Sequence, residues 1–182
     1  MKRLIMIRHC QAESQHKDAP LTKSGVNQAH RLAEFLNNNK QIKLDRIITS
    51  PFMRAIETIR PYADHHNISI EKDRRLQERL LSDQPIDDWL DVLEKSFLDF
   101  DFRLPGGESS NDALKRGIQV LNEALQDQDN EQIAIVTHGN LLSILLSEFD
   151  KEFGFYQWKT LKNPDVFLIE KDIDSYRLEH IW

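Results

Sequence analysis

Two histidines far apart in the chain each close a run of apolar residues. Leu4-Ile5-Met6-Ile7 leads into Arg8-His9, and Ile133-Ala134-Ile135-Val136-Thr137 leads into His138-Gly139-Asn140. Runs so rich in Ile and Val read as strands buried on both faces, the kind found inside a parallel sheet. In open α/β sheets, ligands bind just outside the carboxyl ends of the strands. On the Arg8-His9 dipeptide alone, a strand ending in two solvated side chains reads equally well. If the two strands are neighbours, however, both imidazoles meet at one crevice beside Arg8. Arg54 joins them from the first turn of a helix, next to free backbone N–H groups that favour anions. Two arginines, two histidines and helix N-termini converging on strand ends describe a phosphate site, because a planar guanidinium grips phosphate oxygens in bidentate fashion. No GxxxxGK[ST] loop occurs in the chain, which excludes a P-loop nucleotide site.

The elements that must hold these residues alternate between strand and helix patterns. After a polar loop to Pro20, Thr22 reads as the N-cap of a helix carrying Val26, Ala29, Leu32, Ala33 and Leu36, stopped by Asn37-Asn38-Asn39. Ile47-Ile48-Thr49 is a second strand, followed by Ser50 as N-cap and Pro51 at the first helical position. Pro61 is predicted to kink or shorten that helix, since proline lacks the donor a continuing helix needs. Ile68-Ser69-Ile70 reads as a third strand. From Gln84, with Pro85 in its first turn, a helix is predicted to bury Ile86, Trp89, Leu90, Leu93 and Phe97. Trp89, Phe97, Phe100 and Phe102, ahead of the Pro105-Gly106-Gly107 loop, read as packing more than as a substrate wall. The alternative is that some of them line the pocket, because they lie between Glu78 and that loop. Ser109 and Asp112 form a capping-box pair, and Leu114, Ile118, Leu121 and Leu125 follow at helical spacing. A helix through Leu141, Leu142 and Leu145 comes next. Val166–Ile169 and Tyr176–Ile181 close the chain as two strands joined by the turn-like Asp172-Ile173-Asp174-Ser175. This alternation predicts an α/β fold, a three-layer sandwich with a mostly parallel central sheet, in one domain spanning 1–182.

Composition narrows the partners. The chain has 182 residues, 40% apolar and 30% charged, with a net charge of −6, so no global positive field exists to hold nucleic acid. Attraction for an anion must then come from a local cluster of cations. Met1-Lys2-Arg3 and the four apolar residues after it are too short for a signal peptide. No apolar run approaches the ~20 residues of a membrane span. The lone cysteine, Cys10, leaves neither an internal disulfide nor a CxxC metal site. The expected setting is the cytoplasm, with no nucleic-acid or membrane partner.

Six motifs now stand in order along the chain. They are Arg8-His9, Leu21-Thr22-x-x-Gly25-x-x-Gln28-Ala29, Ser50-Pro51-x-x-Arg54-Ala55-x-Glu57-Thr58, Leu76-x-Glu78, Pro105-Gly106-Gly107-Glu108-Ser109 and Thr137-His138-Gly139-Asn140. Together they resemble the histidine phosphatase superfamily, more narrowly its phosphoglycerate-mutase-like branch. The resemblance implies a phosphohistidine mechanism with His9 as nucleophile. It implies that Arg8, Arg54 and His138 bind the phosphoryl group, that Glu78 donates the proton, and that Asn140 offers its backbone N–H. Gln15 stands where the family commonly has asparagine and would keep an amide at the phosphate. The implied activity is hydrolysis of a small phosphorylated metabolite, with no metal and no cofactor. The alternatives are a phosphoglycerate mutase, a non-catalytic phospho-ligand domain, or a metal hydrolase built on His9, Glu13 and His138.

Three departures and ambiguities accompany the resemblance. Cys10 replaces the glycine that usually follows the nucleophilic histidine and reads as a passive thiol; the alternative is a pKa lowered by nearby cations, which would open it to oxidation. Without the family, Glu78 in Arg74-Arg75-Leu76-Gln77-Glu78-Arg79 reads as a surface carboxylate paired with Arg75 or Arg79. The segment after Glu78, Arg79-Leu80-Leu81-Ser82-Asp83, lacks the glycine and tryptophan typical of the mutases. The stretch from Leu80 to Phe102 carries Asp83, Asp87, Asp88, Asp91, Asp99 and Asp101, which are expected to repel a second anionic group and so favour a hydrolase over a mutase.

Overall fold

The structure, a computed structural model, describes residues 2–173 and 175–182; Met1 and Asp174 of the expected 172–175 turn lie outside the described residues. The two apolar runs form β1 (Arg3–Arg8) and β4 (Gln132–Thr137), paired in parallel from Arg3 opposite Gln132 to Arg8 opposite Thr137. β2 (Arg46–Thr49) lies parallel to β4 and to β3 (Ile70–Lys72). β5 (Asp165–Lys171) runs antiparallel to both β1 and β6 (Tyr176–His180). The order across the six-stranded sheet is β3-β2-β4-β1-β5-β6.

The pleat sorts the strand residues into two cores. Leu4, Met6, Ile133, Ile135 and Ile169 join one, and Ile5, Ile7, Ala134, Val136 and Leu168 join the other. The first core is completed by α4 (Ser110–Gln126) and α5 (Gly139–Leu146), through Val120, Leu121, Leu141 and Leu145. The second is completed by α1 (Lys23–Asn38) and α2 (Met53–His66), through Leu32, Leu36, Ile59 and Tyr62. The result is the three-layer arrangement read from the alternating pattern. The chain leaves β1 for α1 on one face and leaves β4 for α5 on the other, so the two exits diverge and open a crevice at the strand ends. The His9 N–H donates to the Thr137 carbonyl at 3.0 Å, which holds His9 level with His138 across that crevice. Two short helices, α3 (Trp89–Leu98) and α6 (Phe155–Thr160), supply further walls at this end.

Local signals held at some helix ends and failed at others. Thr22 Oγ1 accepts from the Gly25 N–H, and Ser109 and Asp112 form the reciprocal capping box of α4. α2 instead starts at Met53, and Ser50 is not its N-cap. Pro61 does not end it; the helix runs on to His66 and closes at Asn67 in the left-handed conformation. Burial of Ile59, Tyr62 and Ala63 on either side of Pro61 outweighs the single backbone bond that proline forfeits. α3 begins at Trp89, five residues later than the Gln84 start, and leaves Trp89 and Leu90 exposed while burying Leu93 and Ser96. Among the described residues no helix is long and apolar enough to cross a membrane.

Candidate active site

His9 is buried at the end of β1, with its ring fixed on both sides. Its Nδ1–H donates to the Cys10 carbonyl at 2.6 Å. A carbonyl only accepts, so the hydrogen sits on Nδ1 and the lone pair on Nε2. Arg54 Nε–H donates to that Nε2 at 3.2 Å. Burial, reinforced by the charges of Arg54 and Arg8, pulls the His9 pKa down to about 3, opposed by the Cys10 hydrogen bond. The imidazole is therefore neutral at pH 7, with its nucleophilic nitrogen beside a guanidinium.

Arg54 reaches His9 from the first turn of α2, almost wholly buried, and its Nη1 donates to the carbonyls of Gln15 and His16. Arg8 Nη1 donates to the carbonyls of Leu161 and Lys162, just before β5. His138 is fully buried with its ring centroid 5.1 Å from that of His9, and its Nε2 lies 2.7 Å from Ser50 Oγ. Ser50 Oγ already accepts from the Phe52 N–H, so a hydrogen passed to Nε2 would leave the proton of His138 on Nδ1. Among the described residues, the buried side-chain polar atoms without a partner are Arg8 Nε, His138 Nδ1 and Asn140 Oδ1. All three belong to this one crevice. Native chains rarely leave such atoms unpaired, and two of these three can donate to an anion. Gly139 leaves the space Arg8 needs, because a Cβ there would stand 3.1–3.2 Å from the Arg8 guanidinium.

Glu78 is no surface ion pair. Its Oε1 accepts from the N–H groups of Arg79 (2.8 Å) and Leu141 (3.0 Å), and its Oε2 accepts from the N–H of Asn140 (3.1 Å). The carboxylate thus sits on the N-terminus of α5, and the backbone N–H of Asn140, expected at the phosphate, is held by Glu78 in this structure. Arg75 pairs elsewhere, with Asp73 and Glu123. Arg79 is buried and bonds to the Glu108 carbonyl and to the hydroxyls of Ser96 and Ser110; burial pulls its pKa down to about 10. Arg8, His9, Gln15, Glu78 and Asn140 all line one cavity of about 390 Å³, with Arg54 and His138 packed against His9. Gln15 is exposed at its mouth. Glu13 is exposed and is not among the lining residues, and no group of three or more His, Cys, Asp or Glu among the described residues is arranged to hold a metal ion.

Of the aromatic cluster that packing was expected to absorb, Trp89 takes the alternative place on the cavity. Leu81, Trp89, Leu93 and Trp158 form its other wall, so Trp89 faces the site rather than the core. Trp158 carried no sequence signal beyond its place in the aromatic run Phe153-Gly154-Phe155-Tyr156-Gln157-Trp158. Ser50 was assigned to a helix cap, and its hydroxyl is instead committed to His138. None of the aspartates between Leu80 and Phe102 lines the cavity; Asp87 and Asp88 border a separate groove. Cys10 is fully buried against Leu21 and Ala29, and burial pushes its thiol up to about 12, opposite to the activated state that nearby cations suggested.

The neutral imidazoles have a consequence for stability. An unfolded histidine protonates near pH 6.5, whereas folded His9 does so only near 3, and burial holds His138 well below 6.5 too. Between those limits the unfolded chain binds more protons, so stability is complete above about pH 6.5 and is lost as pH falls. The expected loss is about 1.4 kcal/mol per pH unit for His9 alone. Urea midpoints at pH 7 and pH 5 measure it; unchanged midpoints would mean that these rings are charged when folded.

Comparison with known proteins agrees with this geometry. The model of the histidine phosphatase superfamily (branch 1) matches residues 4–181. A probable phosphoglycerate mutase, GpmB, of Yersinia pestis (strain Pestoides F) is 30% identical over 138 residues, 71% of this chain; the chain spans 63% of that relative's length. The mycobacterial glucosyl-3-phosphoglycerate phosphatase complexed with inorganic phosphate is similar in fold, with a TM-score of 0.77, 24% identity and coverage of 100% of this chain and 97% of that one. A putative alpha-ribazole-5'-P phosphatase from Escherichia coli is similar with a TM-score of 0.77 and 20% identity, over 99% and 95% of the two chains.

Proposed function

Because the chain belongs to the histidine phosphatase superfamily (branch 1), we propose that it hydrolyses small phosphomonoesters through a phosphohistidine on His9. The observation that carries this reading is the neutral His9 with its lone pair on Nε2, facing unpaired donors on Arg8 and His138. An arriving phosphoryl group takes the Arg54 Nε–H now spent on His9, which frees Nε2 to attack phosphorus in line. Arg8, Arg54 and His138 neutralise the equatorial oxygens, and little else is required of a protein in phosphoryl transfer. The Asn140 N–H turns from Glu78 to a phosphoryl oxygen, and Gln15 closes the mouth. Glu78, its Oε2 released by Asn140, takes up a proton brought in by the phosphomonoester monoanion, gives it to the departing alkoxide and, as carboxylate again, takes one from the water that cleaves the N–P bond. No step calls for a metal or cofactor.

The mutase reading has the curated relative in its favour, and the cavity against it. A mutase must grip a second anionic group and keep water from the phosphohistidine. Beyond the phosphate end, the lining residues here offer an apolar wall and Arg79, four of whose five N–H groups are already engaged. The acidic stretch does not decide the matter, since its carboxylates lie outside the cavity. The test supplies monophosphoglycerates with a bisphosphoglycerate primer, alongside a panel of phosphomonoesters. Net phosphate release is expected, unchanged by chelator and inhibited by vanadate. Interconversion far above phosphate release would make the chain a mutase, and loss of activity in chelator with recovery on zinc or manganese would make it a metal hydrolase.

A further inference from the structure

The cavity has two unlike halves. One holds Arg8, His9, Glu78 and Asn140, and the other is Leu81, Trp89, Leu93 and Trp158. The tryptophans meet nearly at right angles, 82° with centroids 6.2 Å apart, so a ligand in the cavity faces both a ring face and a ring edge. Both are held in place. Trp158 lies flat on Phe155 at 5.6 Å and 17°. Trp89 rides on α3, which is tied down where the buried Ser96 hydroxyl accepts from Arg79. Trp89 is nonetheless 50% exposed, so half of the indole stays open to a ligand.

Charge points the same way. Apart from Arg8, the one cation lining the cavity among the described residues is Arg79. Its Nε and Nη2 donate to the Glu108 carbonyl (3.1 and 3.0 Å), and its Nη1 donates to Ser96 and Ser110 (2.8 Å each). A carboxylate or second phosphate beyond the ester oxygen would meet indole, leucine and a guanidinium with a single N–H left to offer. A flat uncharged ring would meet offset and edge-to-face partners, which add to what its burial alone contributes. The volume, about 390 Å³, takes a phosphate with one ring or a fused pair, within the usual range of small-molecule sites.

We infer that the preferred ligand is the phosphomonoester of an uncharged, ring-bearing alcohol, its ring packed against the wall that Trp89 and Trp158 form together, and not a doubly anionic metabolite. This rests on the phosphatase reading only where turnover is concerned. Binding is therefore measured first by calorimetry, with phosphonates that cannot be hydrolysed: 2-phenylethylphosphonate, 3-hydroxypropylphosphonate and 3-phosphonopropionate. The phenyl compound is expected to bind at least about tenfold more tightly than either of the others. Trp89→Ala and Trp158→Ala should each lower that ratio several-fold, and Trp89→Phe, which keeps a ring, should restore most of it. Circular dichroism identifies any variant that fails to fold, and the three-ligand comparison on the unaltered chain stands without it. Equal affinities, or a preference for 3-phosphonopropionate, would overturn the inference, as would ratios unmoved in folded tryptophan variants.

Turnover of 2-phenylethyl phosphate, glycerol 3-phosphate and 3-phosphoglycerate then separates the two readings, since all three release alkoxides of similar demand. Selective binding without phosphate release from any ester would keep this inference and remove the phosphatase. Release from all three at equal kcat/KM, with unselective binding, would keep the phosphatase and remove the inference.

Discussion

His9→Ala is expected to lose phosphatase turnover by roughly 10⁴-fold or more, the scale seen when a covalent nucleophile is removed. The fold should survive. The backbone bond from His9 to Thr137 does not involve the ring, and Arg54 keeps its bonds to the Gln15 and His16 carbonyls. The companion experiment traps the intermediate: unaltered chain mixed briefly with substrate and quenched in base should carry phosphate on His9. The linkage should be stable in alkali and labile in acid, as expected of an N–P bond, and His9→Ala should carry none. Turnover that persists in a folded His9→Ala chain, or label on another residue, would end the phosphohistidine proposal.

Periodicity made the two strands that frame the crevice legible, while their pairing, conditional in the sequence, is a property of the sheet. Leu4–Ile7 and Ile133–Val136 have apolar residues at every position, a pattern a strand sustains only when covered on both faces, and both runs end in histidine. Pairing β1 directly with β4 then follows from the sheet, and Arg54 arrives on the helix after β2. Glu78 was legible only through its motif. Its sequence neighbours are arginines, while the groups it binds at Asn140 and Leu141 come from more than sixty positions away. Local chemistry pointed to the wrong partners because charge runs carry no information about which backbone amides a fold will bring near.

The misses have the same origin. Ser50-Pro51 is a strong capping signal, but the serine hydroxyl found a buried imidazole as partner and α2 began without a side-chain cap. Pro61 obeyed tertiary packing over propensity. Trp89 sits at an apolar position of a helical pattern, and periodicity cannot tell a face turned to the core from one turned to a cavity. The carbonyls of Leu161 and Lys162 that hold Arg8 belong to backbone, which sequence does not mark at all. Other motif residues turned out to shape the loop around Cys10: Thr58 accepts from the Cys10 N–H, Gln28 from Gln11, and Glu57 from Leu21. Pattern thus located the crevice, and long-range contacts filled in its walls.

Glu78→Gln is expected to slow hydrolysis of alkyl monoesters by about 10²–10⁴-fold, the range of a general-acid contribution. The substitution keeps the size of the side chain, and with its amide oxygen in the place of Oε1 it still accepts from Arg79 and Leu141, while its NH2 replaces the oxygen that accepts from Asn140 and releases that N–H. It removes the ability to give and take a proton. The loss should therefore depend on the leaving group. An alkoxide cannot depart unprotonated at useful rates, whereas a nitrophenolate leaves unaided, so formation of the phosphohistidine from an aryl ester should be nearly normal. Its hydrolysis should not, because the same carboxylate would activate the water. Aryl esters mixed with the variant should thus give a burst of phenolate stoichiometric with enzyme, followed by slow turnover, and the phosphorylated His9 should accumulate. Alkyl esters should show no burst, since their first step is already slow. If instead both ester types lose the same small factor and no intermediate accumulates, Glu78 serves only to hold the N-terminus of α5, and the proton must come from another group.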